Sequence, residues 1–288
     1  MSLGGEEEAR REPREGSLRV SPLLLLFALL LLALLAVAAL LVWRSLGDEL
    51  SGTSVARDSV DSGPEPRVRV ANGVGKVRVE GVEGIDAVEY EVTRYALGPD
   101  PATAKRRASE VPVDLSREDS TLVLQTDGGR GTGADYELRV PVRGAVEVEA
   151  GAGDVGVSGV SGEVRVVAEA GDVTVRGAGS DVAVEAPRGD VAVEDVNTDT
   201  GQVELQVGAG DLALRDLIVG TLEASVESGD VTLSGRFSGS GRIFVETGNI
   251  TANLPPEDTR ELTLETNVGN VVRETPTEDQ DNSRKEGS

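Results

Sequence analysis

Residues 170–195 read AGDVTVRGAGSDVAVEAPRGDVAVED. Asp172, Asp181 and Asp190 recur at a step of nine, each followed by Val, one residue, then Val. In DVTVR, Val173 and Val175 point to one side of an extended chain, and Asp172, Thr174 and Arg176 to the other. A four-residue strand cannot bury an apolar face alone, so a motif that repeats this way must stack on its own copies.

Outward from this stretch the repeat becomes a row. Gly153-Asp154, Gly171-Asp172, Gly189-Asp190, Gly210-Asp211, Gly229-Asp230, Gly248-Asn249 and Gly269-Asn270 are each followed by Val, Leu or Ile, at steps of 18, 18, 21, 19, 19 and 21. A looser row lies midway, at Glu163, Asp181, Gln202, Thr221, Arg242 and Glu261. The unit is therefore about 19 residues, with two strands and two corners. Gly supplies the positive φ that a sharp corner needs, and Asp or Asn can bond nearby backbone amides. Extra residues around 187–202 and 253–260 alter one corner without disturbing the Gly-Asp-Val phase. That favours stacked parallel coils over an antiparallel sandwich or barrel, which shares the strand spacing.

Upstream, RVRVA (67–71), KVRVE (76–80) and AVEYEVTRYAL (87–97) alternate as half-buried strands. GPDPATAKRRASE (98–110) suits one short helix or a loop. Strands resume in VPVDL, TLVLQT and YELRVPV, which start at 111, 121 and 136.

Residues 23–43, LLLLFALLLLALLAVAALLVW, form an unbroken apolar run, and a bilayer core needs about 20 such residues as helix. Arg10, Arg11, Arg14 and Arg19 precede it, while only Arg44 and Arg57 follow closely. That bias predicts a cytoplasmic N-terminus, with Trp43 at the far interface. Ala36-Val37-Ala38 has the form of a signal cleavage site, but a signal core is about 7–15 residues, and this run is longer. The expected organisation is a cytoplasmic tail (1–21), a transmembrane helix (22–43), a linker (44–65), a β-solenoid (66–272) and a disordered tail (273–288). Arg19, Trp43 and Arg44 flank the membrane. The expected location is the cell membrane, single-pass, with the C-terminal domain outside.

Composition narrows the function. The 288 residues contain no Cys and no His, which removes thiolate chemistry and the side chain most used for acid–base work near neutral pH. A net charge of −23 argues against nucleic acid, which needs a positive footprint. No cofactor or metal is expected. The acidic row could be read as a calcium ladder, but each corner offers one carboxylate and calcium needs six to eight oxygens. Carboxylates about 4.8 Å apart repel by roughly 1 kcal/mol even in water, so bonds to corner amides are the expected offset. Glu185 and Glu194 are expected on one exposed, solvated face rather than as a catalytic pair.

The run YELRVPVRGAVEVEAGAGDVGVSGVSGEVRVVAEAGDVTV resembles the bacterial putative-adhesin family of β-solenoid domains, with Val140-Pro141 as the junction into repeated Gly-Asp-Val units. The resemblance covers about residues 66–272. It implies an all-β, right-handed parallel β-solenoid, commonly on a membrane-anchored chain, and carries over no catalytic residue. The expected role is non-catalytic binding or scaffolding, with a cell-wall polymer or another envelope protein as partner. The outer domain of an envelope-stress or regulatory protein is the alternative, and a carbohydrate-active enzyme a more distant one.

Overall fold

The computed structural model describes residues 50–237, 239–255 and 262–274. In chain order the elements are β1 (Leu50–Asp61), β2 (Arg67–Val74), β3 (Val77–Val82), β4 (Ala87–Gly98), α1 (Pro101–Glu110), β5 (Asp114–Glu118), β6 (Thr121–Thr126), β7 (Thr132–Pro141), β8 (Ala145–Ala152) and β9 (Val155–Ser158). There follow β10 (Val164–Ala168), β11 (Val173–Arg176), β12 (Val182–Arg188), β13 (Val191–Glu194), β14 (Asn197–Ala209), β15 (Leu212–Ser228), β16 (Val231–Phe237), β17 (Gly241–Thr247), β18 (Ile250–Asn253), β19 (Leu262–Val268) and β20 (Val271–Glu274).

From β8 onward the alternating valines do what their period demands. On a first face Val146, Val164, Val182, Val203, Leu222, Gly241 and Leu262 lie side by side on parallel strands, six steps and hence about six turns. On the second face Val155, Val173, Val191, Leu212, Val231, Ile250 and Val271 do the same. A third, shorter side carries its own ladder. Ser161 N–H donates to Val142 O (2.6 Å), Gly179 N–H to Val160 O (3.0 Å) and Asn197 N–H to Ala178 O (3.1 Å). Val160, Ala178, Val196 and Leu217 are buried there. The core is thus a bundle of aliphatic columns. The extra residues of the 21-residue step fall on this third side, where the register shifts between Thr198 and Gln202, so both faces keep phase.

The first turns depart from sequence order. β2 pairs in parallel with both β6 and β8, and β3 with both β7 and β9. The rung 67–82 is therefore inserted between 121–141 and 145–158, and the chain from Pro141 to Ala145 passes over it. Val142 N–H donates to Val82 O (3.0 Å) and Ala145 N–H to Pro66 O (2.8 Å) across that step. Three buried polar side chains lock the insertion. Asn72 Nδ2 donates to Gly75 O (3.0 Å) and Ala134 O (2.9 Å), and the Thr126 and Tyr136 hydroxyls bond each other in the interior. Burial pushes the Tyr136 phenol up.

This end is closed. β4 pairs antiparallel with β7, β1 with β4, and β5 with β6. α1 lies across the opening with Ala104 and Ala108 fully buried. Asp100 caps the helix, accepting from Thr103 N (2.8 Å), and Pro101 opens it. Arg94 donates to Ser109 O and Ser54 Oγ, tying helix to strands.

Three expectations need correction. Residues 50–61, assigned to the linker, form β1; an outer strand needs only backbone pairing, and this one carries few inward apolar residues to betray it. Arg242 does not belong to the midway row, because Leu222 faces Gly241 across the strands and Arg242 faces Glu223. Gly241 takes the inward place usual for Val or Leu, and the Leu262 side chain fills the space, 2.4 Å from where a Cβ would stand. Glu185 and Glu194 lie on opposite faces, since the nine residues between them cross the Gly189-Asp190 corner. The transmembrane segment and its flanks Arg19, Trp43 and Arg44 lie outside the described residues; among the described residues no helix is long and apolar enough to cross a membrane.

Candidate binding surface

The Gly-Asp row occupies the corner between the two faces. Gly153, Gly171, Gly189, Gly210, Gly229, Gly248 and Gly269 all have φ between 125° and 155°. Each approaches the carbonyl of the glycine one turn before; a Cβ on Gly210 would stand 2.1 Å from Gly189 O. Only glycine fits there. The next residue joins the turns. Asp190 N–H donates to Asp172 Oδ1 (3.0 Å), Asp211 to Asp190 (2.8 Å), Asp230 to Asp211 (2.8 Å), Asn249 to Asp230 (2.8 Å) and Asn270 to Asn249 (3.1 Å). The link from Asp172 N–H to Asp154 Oδ1 is longer, 3.4 Å. Each carboxylate meets a rung amide, so attraction to a backbone dipole offsets repulsion along the row.

The inserted rung changes that row. Gly75 continues the glycine stack, but Lys76 stands in the acidic position. Its N–H donates to Asp135 Oδ1 (2.8 Å) and its Nζ to Asp154 Oδ2 (2.9 Å). The Lys76 ammonium, with the amide of Asp172, holds the Asp154 carboxyl below the usual range against the opposing effect of burial.

Lys76 borders a concave region of about 1040 Å³ on the outer side of the second face, spread over β1, β4, β7, β3, β9 and β11. Two cross-strand ladders line it. One runs Arg57, Glu91, Glu137, Arg78, Gly156, Thr174. The other runs Glu89, Arg139, Glu80, Ser158, Arg176, Glu194, Arg215. Arg57 grips Glu91 with two bonds of 2.6 and 3.0 Å, lowering the carboxyl and raising the guanidinium. Arg139 donates to Glu89 (2.8 Å), and Arg78 reaches Glu137 at 3.4 Å. Beyond the concavity Glu194 receives Arg215 (2.6 Å) and Arg176 (2.7 Å) at once, and those bonds, Arg215 first, lower its carboxyl.

Gly156 at the centre leaves the floor open, and Thr174, Ala192, Ala213 and Thr232 continue a smooth small-residue track away from it. Ala183 lies instead on the first face, beside Glu204. Among the described residues no three Asp or Glu side chains converge as a cation site would need. The concavity offers planar, preorganised donors and acceptors.

Sequence reading did not find this surface. Its residues span Arg57 to Arg176, each looks locally like an outward strand position, and the insertion of 67–82 creates their adjacency.

The family model described as Toastrack DUF4097 matches residues 99–288. The chain belongs to that family. The inserted rung and β1 to β4 precede the matched region of this Toastrack domain. Among solved structures the Toastrack chain is similar to a putative adhesin from Bacteroides fragilis, at 14% identity and a TM-score of 0.51, covering 76% of this chain and 97% of that one. A second putative adhesin, from Parabacteroides merdae, has 12% identity and a TM-score of 0.39, with 78% and 97% covered. The first likeness shows the fold, and the expected membership in a putative-adhesin solenoid family holds. No curated protein matches the sequence.

Proposed function

We propose that this protein is a membrane-anchored, extracytoplasmic binding or scaffold module without catalytic activity, and that the concavity on the second face is its contact surface. The observation that carries the reading is the pair of charge ladders. They hold Arg and Glu side chains in fixed geometry beside a smooth floor long enough for an extended chain. Preorganised side chains lose little freedom on binding. Arg is the residue of this face best suited to anchoring a contact. The description of the structural relatives as putative adhesins supports the same reading.

An extended polar polymer of the cell wall, or a strand of another envelope protein, suits such a surface. The apolar run 23–43 and its basic N-terminal flank support anchoring with the solenoid outside. Two measurements test the proposal. The chain lacks Cys, so single-Cys variants at Ser2 and Ser288 report topology in intact cells: an impermeant maleimide should label the second only. Purified cell-wall polymer should cosediment with the wild type, and Arg78→Ala with Arg139→Ala should weaken that binding about tenfold or more. Equal binding by the variant moves the contact surface elsewhere.

A further inference from the structure

The two ends of the solenoid differ. At the β1–β4–α1 end the helix lies across the core, whereas at the last rung no such element stands over the final strands among the described residues. Among the described residues β19 pairs only with β17, and β20 only with β18. Val271, stacked on the fully buried Ile250, is 38% exposed; Val272 and Val268 are 44% and 64% exposed. Arg273 takes the inward place next to Val271 and bonds Leu262 O (3.3 Å), so the core is tied off while the strand edges stay open.

We propose that this edge is a contact with a second copy of the chain, β19 of one copy pairing antiparallel with β20 of the other. The two faces run in opposite directions, so a two-fold axis along the strands makes both pairings at once and closes the assembly as a dimer. The opposite end presents different edges, β1 paired only with β4 and β5 only with β6 among the described residues, with α1 lying across the core.

The corner row supports this choice of partner. It is acidic from Asp154 to Asp230 and turns to Asn at the two rungs nearest the free edge, Asn249 and Asn270. In the two-fold arrangement the Asn corners of both copies meet. The nearest row carboxylates, Asp230 and its counterpart, are then five rungs apart, about 24 Å at strand spacing. That exceeds the screening length of about 8 Å at physiological salt. Asn amides can also bond one another along such a stack. Residues 275–288, TPTEDQDNSRKEGS, contain no Val, Leu, Ile, Met, Phe, Tyr or Trp. Two copies present two concavities, so weak contacts to a repetitive partner gain avidity.

The test uses the full chain in detergent solution. Mass photometry should show a dimer, and N270C should form a disulfide-linked dimer on oxidation while D114C, on β5 at the covered end, should not. The double variant N249D/N270D should raise the dimer dissociation constant at least tenfold near 0.15 M salt, and high salt should restore most of the loss. V271K changes an already exposed position; it should remain folded by circular dichroism and be monomeric. Removing residues 275–288 should leave the dimer intact. The proposal is overturned by a monomeric wild type, by a dimer indifferent to N249D/N270D and V271K, or by a dimer seen only after removal of 275–288, which would assign the edge to the tail.

Discussion

The coils after Ala145 and the covered end obey different rules, although both are built on the same alternating valines. The regular coils are local: each rung pairs with the one before and after it in sequence. The covered end is assembled from distant pieces, with β2 held between strands 54 to 78 residues further on and bound by Asn72, Thr126 and Tyr136. A repeat settles its own neighbours, whereas an end must be closed by something that is not the repeat.

Four measurements sharpen or break that comparison. The largest effect belongs to the shared corner. Gly210→Val forces a side chain onto Gly189 O and a β-branched residue into positive φ. Strain and overpacking together should cost about 3 kcal/mol or more, seen as loss of the cooperative melt or a steep fall in its midpoint. A melt equal to the wild type would remove the glycine stack as the organising feature of the coils.

Next is the contrast between interior and edge within one column. Ile250→Ala should destabilise by about 2–5 kcal/mol, because it empties a fully buried site. Val271→Ala, one rung above it, should cost less than about 1 kcal/mol in dilute protein, where its side chain is already partly in water. Denaturant unfolding compares the two; equal losses would mean that the last rung is as enclosed as the middle ones.

The polar lock at the covered end comes third. Tyr136→Phe leaves the Thr126 hydroxyl buried without its partner, a loss of about 1–3 kcal/mol. Hydrogen exchange should show the added opening in β2, β6 and β7 while β11 to β13 keep their protection. Uniform loosening would instead make the whole solenoid one cooperative unit.

The smallest effect is electrostatic. Glu194 has its folded pKa held below 4.5, first by Arg215 and then by Arg176. Its stabilisation is fully present above the unfolded value and is lost as pH falls through the depressed one. Asp154, lowered by Lys76, behaves alike from 3.8 downward. Glu194→Gln should therefore change stability little at pH 2 and lower it slightly at pH 7, flattening the acid limb of the curve. Since Arg176 and Arg215 remain well exposed, screening keeps the effect small. A variant with an unchanged acid limb would show that the Arg–Glu–Arg ladder does not couple to folding.

Much of the regular coil was legible. The Gly-Asp corner imposes a steric demand at every turn, so it leaves a residue-by-residue mark, and the phase survives the 21-residue step from Asp190 to Asp211 because the extra length goes to the third side. Gly241 shows the limit: an inward glycine backed by Leu262 reads as a corner, which displaced Arg242 by two places. β1 escaped notice because an outer strand needs little apolar patterning. The charged concavity was illegible for a different reason. Arg57, Glu91, Glu137 and Arg78 are ordinary outward residues until four strands from separate parts of the chain are laid side by side.

The sequence by itself determined the rung: its strand period, its glycine corner and its aliphatic columns, all set by backbone sterics and burial acting within about 20 residues. Only the tertiary structure decided the order in which the first rungs stack, how that end is closed, and which charges face one another across it. Those choices rest on pairing between strands far apart in the chain, where every Val-rich rung is a chemically acceptable neighbour and the buried Asn72, Thr126 and Tyr136 contacts distinguish one arrangement from the rest.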